Sequence, residues 1–253
     1  MRRPSADAVA GNGGHVKLCP LRRRSRRERR EMAYSAPPLP IKGVIFDYGR
    51  VLAWTQHQEP RAAWERQLGL APGALTRIVH NEHSWIAAQR GTISIDAHWQ
   101  EVSTVLRLTP GDAAALRAAF YAGDVLNVEL VACIDRLRAR GLRIGLLSNF
   151  SADLRAMLAQ QDLLRRFDAL AISAEIGIMK PDAAAYRAVL SMMQMEAPMC
   201  VFIDDVPANI AAAQAVGLHG IVFEDNASCL AALARLLGID HERTGKPNGI
   251  SAK

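Results

Sequence analysis

Four groups of polar residues stand out because each follows a short apolar run. Asp47 follows Val44–Phe46, and Ser148-Asn149 follows Arg143–Leu147. Lys180 comes after Ala169–Ile172, and Asp204-Asp205 close Cys200–Ile203. Together these residue types can handle a phosphoryl group. A carboxylate can attack phosphorus, a hydroxyl and backbone N–H groups can hold its oxygens, and a lysine can offset their charge. Two more carboxylates can hold a magnesium ion. The ion answers an electrostatic need: an anionic nucleophile and an anionic phosphate repel, and a dication bridging both removes that penalty. Taken singly, most of these groups have an ordinary reading. Asp-x-Gly ends many turns, Ser151 could cap the next helix, and Lys180 before Pro181 could be a solvated helix entrance. Asp204-Asp205 is harder to dismiss, because two adjacent acids repel without a cation. Four such groups, in order, at successive strand ends are the stronger signal.

The elements that must position them follow from hydrophobic period. From Ile41 onward, apolar strand-like runs alternate with amphipathic stretches, which predicts an α/β fold with a Rossmann-like parallel sheet core. Ligands of such sheets bind beyond the carboxyl ends of the strands, where all four groups fall. A fifth strand is predicted at Gly220–Phe223. Val131, Ile134 and Leu137 recur at helical spacing, and Pro181 marks a first helical turn. Between Leu52 and about Asn127 the pattern predicts helices only, one of them opened by a capping box at Thr109-Pro110-Gly111-Asp112. The expected organisation is a core of residues 41–54 and 126–240 interrupted by an inserted all-helical cap, 55–125. A basic tail (1–40) and a short C-terminal tail (241–253) flank it.

The set GVIFDYGRVL, LLSNF, GIMKPDAAAY and VFIDDVPANIAAAQAVGL resembles the haloacid dehalogenase superfamily, in its helical-cap branch. Within it the set is similar to bacterial α-D-glucose-1-phosphate phosphatases and to the phosphatase domain of soluble epoxide hydrolase. RGTISIDAHW resembles the cap of that branch. The resemblance covers about residues 42–237. It implies that Asp47 forms an aspartyl-phosphate and also ligates Mg²⁺, with Gly49 offering its backbone carbonyl to the ion. It implies that Ser148 and the Asn149 backbone N–H hold the phosphate and that Lys180 neutralises it. Asp205 would be the main metal ligand of the fourth motif, with Asp204 assisting directly or through water and Asn209 supporting the pair.

One departure matters. Most phosphatases of this family carry a second aspartate two residues after the nucleophile, as general acid and base; this chain has Gly49. Such a group is typically worth 10²–10⁴-fold. The glucose-1-phosphatase branch also lacks it, so its loss does not imply inactivity. Gln56, His57 and Glu59 lie nearby without any one being singled out as a substitute.

Composition bounds the rest. Half of the 253 residues are hydrophobic and 22% are charged, enough for a sizeable core. No apolar stretch approaches the ~20 residues of a spanning helix. The net charge of +6 belongs to the start of the chain: residues 1–40 hold ten Lys and Arg against three Asp and Glu, and the remainder holds 21 against 22. Nucleic acid is therefore not expected as a partner except through residues 1–31, whose Arg22–Arg30 block could grip phosphate backbones. Cys19, Cys133, Cys200 and Cys229 form no C-x-x-C pair, so buried free thiols and a cytoplasmic location are expected. His80 and His83, near Trp85, lack a third ligand and are expected on a polar surface. Trp54, Trp64, Trp85 and Trp99 are expected either to pack the cap or to line its pocket.

These readings converge on a Mg²⁺-dependent phosphatase of a small phosphorylated metabolite, including sugar phosphates. Two alternatives stand beside it. A 2-haloacid dehalogenase would use the same aspartate on carbon and needs no cation, which Asp204-Asp205 argues against. A binding protein descended from such enzymes would make Gly49 a mark of lost catalysis, which retention of Asp47, Lys180 and Asp205 argues against. A phosphomutase depends on the missing aspartate.

Overall fold

The computed structural model describes residues 40–239. The expectations for residues 1–39, including the arginine block and Cys19, and for residues 241–253 lie outside the described residues.

Strand β1 (Gly43–Phe46) is fully apolar after its glycine, and Val44, Ile45 and Phe46 have no solvent exposure. A strand of that kind satisfies both faces only in the middle of a covered sheet. It lies there: β4 (Arg143–Ser148) and β6 (Cys200–Asp204) flank it, with β5 (Ala169–Ile172) and β7 (His219–Val222) outside, in the order β5-β4-β1-β6-β7. Every pairing is parallel. Alternation sorts the side chains. Val44, Phe46, Leu146 and Ile203 pack with Leu130, Ile134 and Leu137 of α6 (Val128–Ala139) and Leu233 of α11 (Asn226–Leu237). Ile45, Leu147 and Phe202 point the other way, onto Tyr186 and Val189 of α9 (Ala183–Met193) and Ile210 of α10 (Pro207–Val216). Each such buried side chain is worth about 1.5–3 kcal/mol relative to exposure.

Five helices interrupt this body after β1: α1 (Glu59–Gln67), α2 (Ala74–Val79), α3 (Ser84–Gln89), α4 (Ile95–Val105) and α5 (Pro110–Tyr121). They share their own small core of Leu75, Val79, Trp99, Val102, Leu116 and Phe120. Thr109 caps α5 as expected, its hydroxyl accepting from the Asp112 N–H at 3.2 Å. Between β4 and β5 lies α7 (Leu154–Gln160), and a short α8 (Ser173–Ile176) follows β5.

Four expectations are corrected. The segment between Leu52 and Asn127 is not helical only. The chain enters and leaves it through an antiparallel ribbon of β2 (Ala53–Thr55) and β3 (Asp124–Leu126), joined by the pairs Ala53–Leu126 and Thr55–Asp124. Strands of three residues are too short to print a period on the sequence. The last strand is His219–Val222, one residue earlier than expected, because its pairing with β6 runs from Val201–His219 to Asp204–Val222. Pro181 does not start a helix: Asp182 is the cap of α9, accepting from the Ala184 N–H at 2.8 Å. Ser151 does not cap α7 with its side chain; its hydroxyl instead donates to Asp153 at 2.5 Å. Among the described residues no helix is long and apolar enough to cross a membrane.

Candidate active site

Parallel register brings the strand ends together. Phe46 pairs with Ile203, and the Asp47 N–H donates to the Ile203 carbonyl at 2.9 Å, so Asp47 leaves the sheet beside Asp204. Lys180 arrives from the loop after α8. Its Nζ stands 2.8 Å from Asp47 Oδ1 and 2.6 Å from Asp204 Oδ2, and its side chain is almost wholly buried. Asp204 has no exposure. The Val206 N–H and the Asn209 amide donate to its Oδ1 at 2.8 and 3.0 Å, and Asn209 also reaches Oδ2 at 3.1 Å. Asp205, one residue on, is only partly exposed and pairs with Arg50 Nε at 3.2 Å.

Carboxylate oxygens of Asp47, Asp204 and Asp205 lie within 4.8 Å of one another. Among the described residues two positive side chains pair with these three acids, Lys180, which is buried, and Arg50, which is largely exposed. Burial pushes the Asp47 carboxyl above the ordinary range; Lys180 opposes the rise and the Asp204 charge adds to it. Asp205 is also raised, first by burial, against the pull of Arg50. Asp47 Oδ1 is a buried acceptor that receives no well-aligned hydrogen bond, although Lys180 stands close. A cluster of hard oxygen donors with an unfilled acceptor fits Mg²⁺.

The second strand end supplies the donors. Ser148 is buried, and Asn149 begins the turn after β4. The Asn149 side chain is fixed by the Lys180 backbone, donating to the Lys180 carbonyl at 2.9 Å and accepting its N–H at 2.8 Å. Gly49 is open: a Cβ there would meet nothing within 4 Å. The residues around that gap offer no obvious replacement acid. Gln56, His57 and Glu59 are all exposed, and Glu59 pairs with Arg66.

Arg50 was not anticipated. It holds a left-handed backbone (φ 58°), with its N–H on the Ala53 carbonyl at 2.7 Å, which turns its side chain over Asp205. It also borders a cavity of ≈ 730 Å³ lined by Trp54, Thr55, Gln58, Arg61 and Thr76 from one side and by Phe223 to Asn226 from the other. The tryptophans therefore divide. Trp54 lines this cavity, Trp85 is buried, and Trp99, although buried, borders a second cavity between α4 and α5. His83 is exposed, and His80, exposed overall, stacks its ring on Trp85 with centroids 5.0 Å apart. Neither histidine joins a metal-binding cluster among the described residues.

A family model for the haloacid dehalogenase-like hydrolases matches residues 41–217. The chain is 28% identical over 204 residues to the sesquiterpene phosphatase astK of Aspergillus oryzae, covering 78% of this chain and 97% of that one. It is 30% identical over 121 residues to the ribulose-1,5-bisphosphate 5-phosphatase of Halopiger xanaduensis, covering 46% of this chain and 51% of that one. In three dimensions it resembles a Bacteroides thetaiotaomicron enzyme solved with magnesium and inorganic phosphate, with a TM-score of 0.62 and 18% identity over 75% of this chain and 98% of that one. That likeness is one of fold. A match over most of the folded body, and the parallel sheet whose strand ends gather the three acids and the lysine, make this chain a member of the haloacid dehalogenase-like hydrolases.

Proposed function

We propose that the chain is a Mg²⁺-dependent phosphatase that cleaves a small phosphomonoester through an aspartyl-phosphate on Asp47. The observation that carries the reading is the buried Lys180 bridging Asp47 and Asp204 beside Asp205, an arrangement with more acid than internal cation. Carbon–halogen cleavage by the same aspartate needs no cation, so the three acids favour phosphorus. Similarity to phosphatases points the same way.

In this reading Asp47 attacks phosphorus: an Asp47 O–P bond forms as the bond to the leaving oxygen breaks. The Ser148 hydroxyl and the Asn149 backbone N–H hold the phosphoryl oxygens, and Lys180 offsets charge on both nucleophile and phosphate. Asp47, Asp205 and the Gly49 carbonyl would hold the Mg²⁺. Asp204, engaged by Lys180, Val206 and Asn209, orients the lysine and would assist at the ion directly or through water. Bound there, the ion neutralises the repulsion between carboxylate and phosphate. Water then cleaves the acyl-phosphate and releases inorganic phosphate. The helices of residues 55–125 act as the cap, and the cavity beside Arg50 receives the leaving group.

With Gly49 in place of an acid, leaving oxygens of low basicity are favoured, so sugars phosphorylated at the anomeric carbon fit the chemistry. The polar lining of Thr55, Gln58, Arg61 and Thr76 suits a hydroxylated group. The sesquiterpene phosphatase relative adds phosphorylated sesquiterpenes to the substrates worth testing. Buried free Cys133, Cys200 and Cys229 support a reducing, cytoplasmic setting.

The test is a screen of phosphorylated metabolites with and without Mg²⁺, run beside a chloroacetate dehalogenation assay. Rapid quench should trap phosphate on the wild type and none on Asp47→Asn. Chloride release without phosphatase activity would overturn the proposal.

A further inference from the structure

The last residue of α3, Gln89, is buried, and its side-chain amide crosses to the turn after β4, donating to the Asn149 carbonyl at 2.8 Å. The other end of that same peptide is also held. The Phe150 N–H donates to Ser173 Oγ at 3.0 Å, and the Ser173 hydroxyl donates to the Gln89 carbonyl at 2.6 Å. Three hydrogen bonds thus close a ring that runs through Gln89, Ser173 and the Asn149–Phe150 peptide. Ser173 Oγ also lies 3.2 Å from the Phe150 carbonyl, so its proton has a second acceptor. Two further contacts press the helices onto this point. Trp85 meets Phe150 edge to face at 5.5 Å, and Gly91 (φ 70°) lies so close to the Ala174 carbonyl that a Cβ would come within 2.2 Å. Beyond the turn, the Asn149 side chain grips the Lys180 backbone and Lys180 grips Asp47.

We infer that Gln89 is a positioning residue: it aligns the Ser148-Asn149-Phe150 turn, so that the phosphate-holding N–H is correctly aimed only when the helical insert is docked. The inference rests on the reading of Ser148 and Asn149 as phosphate holders. A peptide plane clamped at its carbonyl and its N–H cannot rotate, which fixes one side of the Asn149 Cα; the Lys180 backbone also holds the Asn149 side chain, and together these restraints narrow the φ and ψ through which the Asn149 N–H can swing. Donors aimed at developing charge are worth about 10²–10³-fold each, and small misplacement loses much of that. Releasing one clamp should therefore cost about 10–100-fold in kcat, with less change in KM.

The experiment compares Gln89→Leu and Gln89→Met in the full chain; both roughly keep the volume and remove the donor, and the unbranched methionine stands in if the leucine variant folds poorly. Two quantities are read: kcat and KM on a phosphomonoester with Mg²⁺, and amide hydrogen exchange at Phe150. Loss of kcat with faster exchange at Phe150, and unchanged exchange at Phe202 in the sheet, is the expected result. Ser173→Ala added to Gln89→Leu should cost little more than either change alone, since both break one ring. Unchanged exchange at Phe150, or faster exchange with a wild-type kcat, overturns the inference. An inactive wild type would instead defeat the phosphatase reading, and the exchange comparison would still decide whether Gln89 holds the turn.

Discussion

Lys180 Nζ lies 2.6 Å from Asp204 Oδ2, and Asp204 is sealed from solvent while Lys180 is nearly so. Removing one partner of a buried pair leaves a desolvated charge, which typically costs about 3–5 kcal/mol. Here the loss is compounded, because Asp47 and Asp205 remain beside the orphan. Lys180→Met should therefore melt well below the wild type in the absence of divalent ions. Mg²⁺ should restore part of the loss, since a ligand bound only by the folded state stabilises by about 2.7 kcal/mol at a hundred times its Kd. Thermal melts with and without Mg²⁺ check both halves; equal melting points for the two proteins in EDTA would contradict the charge balance described above.

Gly49 can accept a side chain: apart from its chain neighbours Tyr48 and Arg50, no atom lies within 4 Å of the position a Cβ would take. Gly49→Asp should supply the missing proton donor, raising kcat/KM for substrates with basic leaving oxygens by up to about 10²–10⁴-fold. The wild type should show a steep Brønsted plot against leaving-group pKa, and the variant a flatter one. A flat plot for the wild type, with chemistry rate-limiting, would mean that another group already protonates the leaving oxygen.

Arg50 competes with a cation for Asp205. Its guanidinium is largely exposed, so the pair itself is worth no more than about 1 kcal/mol. Arg50→Ala should consequently tighten Mg²⁺ binding modestly, by up to about fivefold. Calorimetric titration of Mg²⁺ into the two proteins tests this directly, and weaker binding by the alanine variant would count against it.

His80 carries an acid sensitivity. Although the residue as a whole is exposed, its ring packs against Trp85 and Phe120, and that local burial, with Arg61 and His98 adding to the effect, pushes the imidazole down to about 4 from the ordinary 6.5. The folded state thus holds it neutral where the unfolded chain would protonate it. Its contribution to stability is complete above about pH 6.5 and is lost as pH falls towards 4. His80→Gln should be somewhat less stable at neutral pH, having lost the stacking on Trp85 and the edge contact with Phe120, yet fall more gently in acid. Unfolding midpoints measured from pH 4 to 7.5 should show the two curves converging.

How much of this was legible in one dimension depends on the range of the forces involved. The strands were readable because burial on both faces demands unbroken apolar runs, as in Val44–Phe46 and Cys200–Ile203. Once a parallel sheet is implied, chain order alone lines up Asp47, Ser148 and Asp204 at one edge, and the missing acid at Gly49 is visible without any coordinates. Other features left no local trace. The β2–β3 ribbon pairs residues about seventy positions apart through strands too short to show alternation. Trp54 and Trp85 are the same residue type, and only the fold sends one to a cavity wall and the other under the helices. Arg50 meets Asp205 because a left-handed turn aims it there, and Gln89 meets Asn149 across sixty residues because two separately packed layers come into register. A hydrophobic period is written into neighbouring residues by the solvent each face must meet. A hydrogen bond between distant side chains is decided only when packing has fixed both backbones, and that part of the site belongs to the tertiary structure.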